Sequence, residues 1–139
     1  MTVNWFPGHM LKARREIQEN AKVVDMVIEV VDARAPLSTT NPDLPHLVRG
    51  KPIIKVLNKA DLADERETRR FISFFQKNGI GAVAADSLRG KGLPDVVRAV
   101  ERVYAPLAKT LLEKRQRVRP ARIMIAGLPN VGKSSFLNS

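Results

Sequence analysis

The sequence predicts an α/β fold, a mostly parallel sheet with helices on both faces, and three observations carry that prediction. Four short runs rich in β-branched and aliphatic residues are separated by stretches of helical periodicity. The runs are almost continuously apolar, as strands buried on both faces of a parallel sheet must be. The residues able to do chemistry fall in the loops after the second, third and fourth runs. In a parallel sheet, the carboxyl ends of the strands are where a ligand site gathers.

The elements follow in chain order. Met10, Ala13, Ile17, Ala21 and Val24 recur at helical steps and predict an amphipathic helix with Lys12, Arg14 and Arg15 on its outer face. MVIEVVDA (26–33) reads as the first buried strand. RAPLSTTNPDLP (34–45), with three prolines, reads as a loop holding at most one helical turn. PIIKVLN (52–58) is the second strand. Asp64 and Glu67 then form a capping box ahead of a helix whose apolar face is Phe71, Phe74 and Phe75, and Asn78-Gly79 is its stop signal. GAVAA (81–85) is a third, weaker strand. Pro94 suits the first turn of a helix continued by Val96, Val97, Val100, Val103, Tyr104, Leu107 and Leu111, with a kink or restart expected at Pro106. ARIMIAG (121–127) is the fourth strand.

Bulk properties narrow the function classes. The 139 residues are enough for one domain with a real core, and 44% of them are hydrophobic. No apolar run approaches the roughly 18–20 residues of a membrane span, and the N-terminus lacks a signal-peptide pattern. The absence of cysteine excludes disulfides and thiolate metal sites. A cytoplasmic protein is the expectation. Lysine and arginine number 24 against 14 acidic residues, a formal net charge of +10, which favours a polyanionic partner or serves solubility alone. Lys114, Arg115, Arg117, Arg119 and Arg122 crowd one stretch of that charge.

The fourth strand runs into GLPNVGKS, which fits G-x-x-x-x-G-K-[ST]. Gly127 and Gly132 let the backbone wrap a phosphate, and the amides of Asn130, Val131, Gly132, Lys133, Ser134 and Ser135 can point at it. Lys133 can reach the β- and γ-phosphates, the Ser134 hydroxyl suits Mg²⁺, and the helix that begins there adds its positive end. NKAD, comprising Asn58, Lys59, Ala60 and Asp61, follows the second strand. A carboxylate there can accept from guanine N1–H and N2–H₂, a donor pair adenine lacks. Asn58 can support the base edge and the Lys59 stem can lie along the purine face. ADSLRGKG (85–92) follows the third strand, where the Ser87-Leu88 backbone, with Asp86 beside it as a further nucleotide-binding candidate, can donate to guanine O6 or make an ordinary turn. Each of the last two motifs is weak by itself; with a phosphate loop in the same chain they point to GTP and GDP.

The order of these motifs is inverted. In ordinary GTPases the phosphate loop comes first, whereas here Asp61 precedes Gly127. Circular permutation accounts for this, because rejoining nearby termini leaves a packed sheet intact. With NWFPGHM (4–10), DARAP (32–36), NKAD, DSLRGKG and GLPNVGKSS, the chain resembles the N-terminal half of the ribosome biogenesis GTPase A family, whose members are circularly permuted. The resemblance spans essentially the whole chain. It implies an incomplete, permuted three-layer P-loop GTPase fold in which 1–24 is an N-terminal helical segment, 25–120 a guanine-reading half, and 121–139 the phosphate-loop strand, loop and helix start. Its four strands would be a contiguous 1-4-5-6 portion of the GTPase sheet, in the usual GTPase strand numbering.

The resemblance further implies slow GTP hydrolysis in late assembly of the large ribosomal subunit, with rRNA as a partner and neither membrane nor DNA. It implies K⁺ held near Asn130. The family's switch region and D-x-x-G motif do not occur after the phosphate loop within these residues, so efficient hydrolysis by them alone is not expected. His9 either positions water, contacts RNA or caps the first helix. Trp5 and Phe6 either stack on bases or dock the N-terminus on the domain. A basic RNA-binding module with a vestigial nucleotide site is the rival reading.

Overall fold

Each of the four apolar runs becomes a strand, and the intervening periodic stretches become helices. The computed structural model describes residues 7–127, with side chains described from residue 13 onward. The elements are α1 (Pro7–Ala21), β1 (Met26–Asp32), α2 (Leu44–Leu47), β2 (Ile53–Asn58), a 3-10 turn (Ala60–Leu62), α3 (Glu65–Lys77), β3 (Gly81–Ala84), α4 (Leu93–Glu113) and β4 (Ile123–Gly127). The strands form one sheet in the order β3-β2-β1-β4. Every pairing is parallel, with Val27 opposite Ile53 and Met124, and Ile54 opposite Gly81. The expected 1-4-5-6 arrangement is this order read from β4 to β3. Among the described residues the sheet is wholly rather than mostly parallel, because each strand reaches the next through a connection long enough to cross a face.

β1 lies at the centre of the sheet and is buried along its whole length. On one face Met26, Ile28 and Val30 join Ile54 and Val56 beneath Val96 and Ala99 of α4. The opposite face is covered in two patches. Val31 and Leu57 pack under Phe75 of α3, while Val27 packs with Ala21 of α1 and Leu44 of α2. Fully burying a residue such as Ile54 or Val56 contributes about 1.5–3 kcal/mol, which is why continuous aliphatic runs, rather than alternation, mark these strands.

Between the two patches sit Glu29 and Lys55, an ion pair directly across β1 and β2 and both buried. The pair is fully furnished with partners. Lys55 Nζ donates to Thr40 Oγ1 at 2.6 Å, Thr40 donates to Glu29 Oε1 at 3.0 Å, and the Asn41 amide donates to Glu29 Oε2 at 2.8 Å. Lys55 also lies 5.3 Å from the Phe75 ring centroid. Buried charges are tolerated only with such partners, and these fasten the Pro-rich loop over the sheet.

Several boundaries differ from the sequence expectation. α1 ends at Ala21 rather than continuing to Val24. The chain turns there so that Val24 packs beside Ala21 and its carbonyl accepts from Lys51 Nζ at 2.8 Å. β4 begins at Ile123, two residues late, because Arg122 is taken up by Asp25. The Asp25 amide donates to the Arg122 carbonyl at 2.8 Å, and the Arg122 amide donates to Asp25 Oδ2 at 2.7 Å. Arg119 grips the same carboxylate with two nitrogens at 2.7 and 2.9 Å. The Arg119 side-chain bonds, aided by the Arg122 amide, hold the Asp25 carboxyl down at about 2 against the opposing effect of burial. Tyr104 of α4 donates its hydroxyl to the Arg119 carbonyl.

α4 continues through Pro106 without a restart. The carbonyl that loses its partner there belongs to Arg102, and both residues are exposed, so water can serve it. The capping box is half made. Asp64 accepts from the Glu67 amide at 3.0 Å, but the Glu67 carboxylate pairs with Arg70 instead. α3 stops as expected at Asn78, followed by Gly79 at φ 77°.

Candidate functional site

Because every strand is parallel, Asp32, Asn58, Ala84 and Gly127 all end on the same side of the sheet. Asn58 is buried there and bridges two loops. Its Nδ2 donates to Ser87 Oγ at 3.1 Å, and its Oδ1 accepts from the Ser87 amide at 3.0 Å. Backbone bonds reinforce the bridge, with Ala60 donating to the Ala85 carbonyl at 3.0 Å and Ala33 to the Asn58 carbonyl at 2.8 Å. NKAD and DSLRGKG, 29 residues apart at Asn58 and Ser87, thus become one surface. Lys59 turns the chain with a left-handed φ of 59°, after which Asp61 occupies the exposed first turn of the 3-10 segment.

The expected roles in DSLRGKG divide differently from the sequence reading. The Ser87 amide is committed to Asn58, so of the two amides expected to meet a base oxygen only that of Leu88 remains available among the described residues. Leu88 is 82% exposed. Asp86 is buried and shapes its own turn, exchanging backbone bonds of 2.9 and 3.0 Å with Lys91. Its Oδ2 has no hydrogen-bond partner among the described residues, and the nearest cation is Arg89 Nε at 3.7 Å. Gly92, at φ 82°, closes this loop against the sheet. A Cβ at that position would stand 2.3 Å from the Ala84 carbonyl oxygen, so no larger residue fits.

Asp32, at the same end of the sheet, is a residue that spacing did not single out, although it opens DARAP. It is buried at the end of β1 and holds Arg34 through Nε at 3.0 Å, Nη2 at 2.7 Å and the backbone amide at 2.9 Å. Lys59 Nζ lies 3.9 Å away. Arg34 chiefly, with help from Lys59, lowers the Asp32 carboxyl below its ordinary value. Arg34 also feels the charge of Asp61, and its own pKa is raised, chiefly by Asp32. Asp32 therefore organises two cations beside the carboxylate expected to read a base. The cue in the sequence was an acid ending a buried strand two residues before an arginine.

The phosphate-loop motif begins on the same side. Val30 of β1 pairs with Gly127, the first residue of the motif. A cavity of about 310 Å³ lies at the root of that loop, lined by Arg14, Ile17, Glu29, Asn41, Leu44 and Gly127 among others. Asn130, Val131, Gly132, Lys133, Ser134 and Ser135 lie outside the described residues, as do Trp5 and Phe6. His9 falls within α1, but its side chain is not among those described. Among the described residues, no cluster of acidic or histidine side chains could hold a metal, and no helix is long and apolar enough to cross a membrane.

Comparison with known proteins agrees with the motifs. No protein-family model matches the chain. The chain is 42% identical to ribosome biogenesis GTPase A of Bacillus cereus over 99% of its own length and 47% of that protein. It is 37% identical to the protein of the same name from Thermotoga maritima, over 98% of the chain and 45% of the relative. Against mitochondrial ribosome-associated GTPase 1 of Xenopus tropicalis it is 34% identical, with 98% and 43% covered. Among solved structures it superimposes on GNP-bound YlqF from T. maritima with a TM-score of 0.65 at 35% identity, covering 91% of the chain and 46% of that protein. For a GDP-bound YlqF the TM-score is 0.63 at 34% identity, with 89% and 46% covered. The resemblance to ribosome biogenesis GTPase A thus holds along nearly the whole chain, and the chain spans about half the length of the curated relatives it matches.

Proposed function

We propose that this chain supplies the guanine-reading surface and the phosphate loop of a circularly permuted, cytoplasmic GTPase that acts in late maturation of the large ribosomal subunit. The observation that carries the reading is the paired hydrogen bonding of Asn58 and Ser87. It joins two weak motifs into one ligand surface at the end of the sheet where the phosphate loop begins. Similarity to proteins named as ribosome-related GTPases, and to YlqF with GNP or GDP bound, supports the same assignment.

In this reading Asp61 accepts from guanine N1–H and N2–H₂, the Leu88 amide meets O6, and the Lys59 stem lies against the purine. Asn58 and Ser87 hold those groups in register. The amides of 130–135 grip the phosphates and Lys133 neutralises them. The hydroxyl of Ser134 has the donor chemistry for Mg²⁺, which when bound adds charge neutralisation at the β- and γ-phosphates. Asn130 offers an oxygen to K⁺. His9 positions the attacking water. Hydrolysis in such a site is mostly positioning and charge stabilisation, and these 139 residues by themselves bind nucleotide weakly and hydrolyse it poorly.

Calorimetry with GDP and ATP tests the reading. GDP binding without ATP binding is expected; equal affinity for the two sinks the guanine assignment. K⁺ should stimulate hydrolysis by the full-length protein relative to Na⁺, and equal rates would remove Asn130 from the ion site.

A further inference from the structure

The two ends of the sheet carry different charge. Connections at the carboxyl ends of the strands, residues 33–43, 59–64 and 85–92, hold four cations and four carboxylates. Connections entering the strands at the opposite end, residues 22–25, 48–52, 78–80 and 114–122, hold eight cations and one carboxylate. That carboxylate, Asp25, is consumed by Arg119, while Lys22 pairs with Glu19 and Lys51 caps the Val24 carbonyl. Arg49, Lys114, Arg115, Arg117 and Arg122 remain, all exposed and with no ion-pair partner among the described residues.

Three features argue that this surplus is built for a partner. First, the connections are tied side by side. Asp25 joins 114–122 to the start of β1, and the Val27 amide donates to the Pro52 carbonyl at 2.9 Å. Strands lie about 4.8 Å apart, so the entries to β2, β1 and β4 form a preorganised row about 10 Å wide. Second, Arg49 and Arg115 take left-handed φ values of 52° and 56°. Glycine would sit there without strain, yet both positions carry an exposed guanidinium. Third, a cation near a helix C-terminus favours the dipole only within the last turn. Arg117 and Arg122 lie four and nine residues beyond Glu113, the last residue of α4.

We infer that the amino end of the sheet is a docking surface for the sugar-phosphate backbone of RNA, opposite the nucleotide end and able to bind while that end is filled. The choice of RNA rests on the ribosome-related reading above; the surface itself rests on charge and placement. Guanidinium groups suit it, since their planar forks match phosphate oxygens and are weakly hydrated.

The test uses the chain with Arg115→Gln, Arg117→Gln and Arg122→Gln combined. Arg66→Gln, Arg69→Gln and Arg70→Gln on α3 make a control of equal charge change. Fluorescence anisotropy with a single-stranded RNA of about 20 nucleotides is followed across a salt series. Three lost phosphate contacts should lower the salt slope by about 2. Affinity at moderate salt should fall at least about tenfold in the rim variant and less than about threefold in the control, the spread expected when phosphate contacts rather than net charge decide binding. Equal losses in both variants overturn the proposal. So does wild-type preference for duplex DNA or for phosphatidylserine vesicles over RNA. GDP affinity is measured on the same samples. Rim-dependent RNA binding without GDP binding removes the nucleotide reading and leaves the surface, and the converse removes only the surface.

Discussion

The two ends of one parallel sheet use polar residues in opposite ways. At the carboxyl end, acids and bases are balanced and turned toward one another. Asn58 is spent on Ser87, Asp32 on Arg34, and Asp86 on its own turn. At the amino end a single carboxylate anchors the row, and Arg49, Lys114, Arg115, Arg117 and Arg122 face water. A site that must present a few groups at fixed angles needs neighbours to hold them. A surface that meets a flexible polyanion needs only charge density on a firm base. On the two proposed roles, the difference would separate specificity from affinity within one small domain.

Experiments can break or sharpen this contrast, in descending order of effect. Asp61→Asn replaces an acceptor with a donor at the base edge, so GDP affinity should fall by roughly a hundredfold or more while xanthine nucleotide gains, since a site built to pair a polar group rejects its mismatch strongly. Calorimetry with both nucleotides reads this, and retained guanine preference would detach Asp61 from base reading. Asn58→Ala leaves the buried Ser87 groups without partners and should cost about 2 kcal/mol, seen as a lower denaturant midpoint together with weaker GDP binding. A midpoint shift without change in GDP affinity would make the bridge purely structural.

The amino end should answer to acid instead. The Asp25 carboxyl sits lower in the folded chain, at about 2, than its ordinary 3.8. Its contribution is therefore complete above about pH 4 and disappears as pH falls through about 2. Asp25→Asn should lower stability at pH 6 and converge on wild type near pH 2; a constant gap across that range would contradict the assignment. The smallest effect is expected at Lys22, the rim cation already paired with exposed Glu19. Lys22→Ala should alter stability by no more than about 0.5 kcal/mol, measured by thermal melting, and leave the RNA salt slope almost unchanged.

The strands, and the sheet end where the candidate site residues gather, were legible because continuous aliphatic runs and turn residues are local signals. The site's architecture was less so. Asn58 and Asp61 could be picked out by their chemistry, but the bridge that makes Asn58 useful depends on two strand ends being adjacent. Asp32 and Arg34 were visible as a motif and invisible as a unit, since their role arises from Lys59 and Asp61 in another loop. Glu29 and Lys55 left one usable trace, opposite charges each interrupting an apolar run. Only the β1–β2 register turns that trace into a buried pair. Arg119 illustrates the reverse case, in which a residue counted with a basic cluster proved to be a clamp.

Parallel pairing also sets the order in which this domain can be assembled. Across β1 and β2, Glu29 and Lys55 are 26 residues apart, whereas Asp25 and Arg122, at the junction with β4, are 97 apart. Closing the longer loop costs roughly 1 kcal/mol more in chain entropy. As a chain lengthens from its N-terminus, β1, β2 and β3 can meet before β4 has been made. Of the four described strands, the one that leads into the phosphate-loop motif is the last to arrive, and the Asp25 carboxylate at its landing point is already in place to catch it.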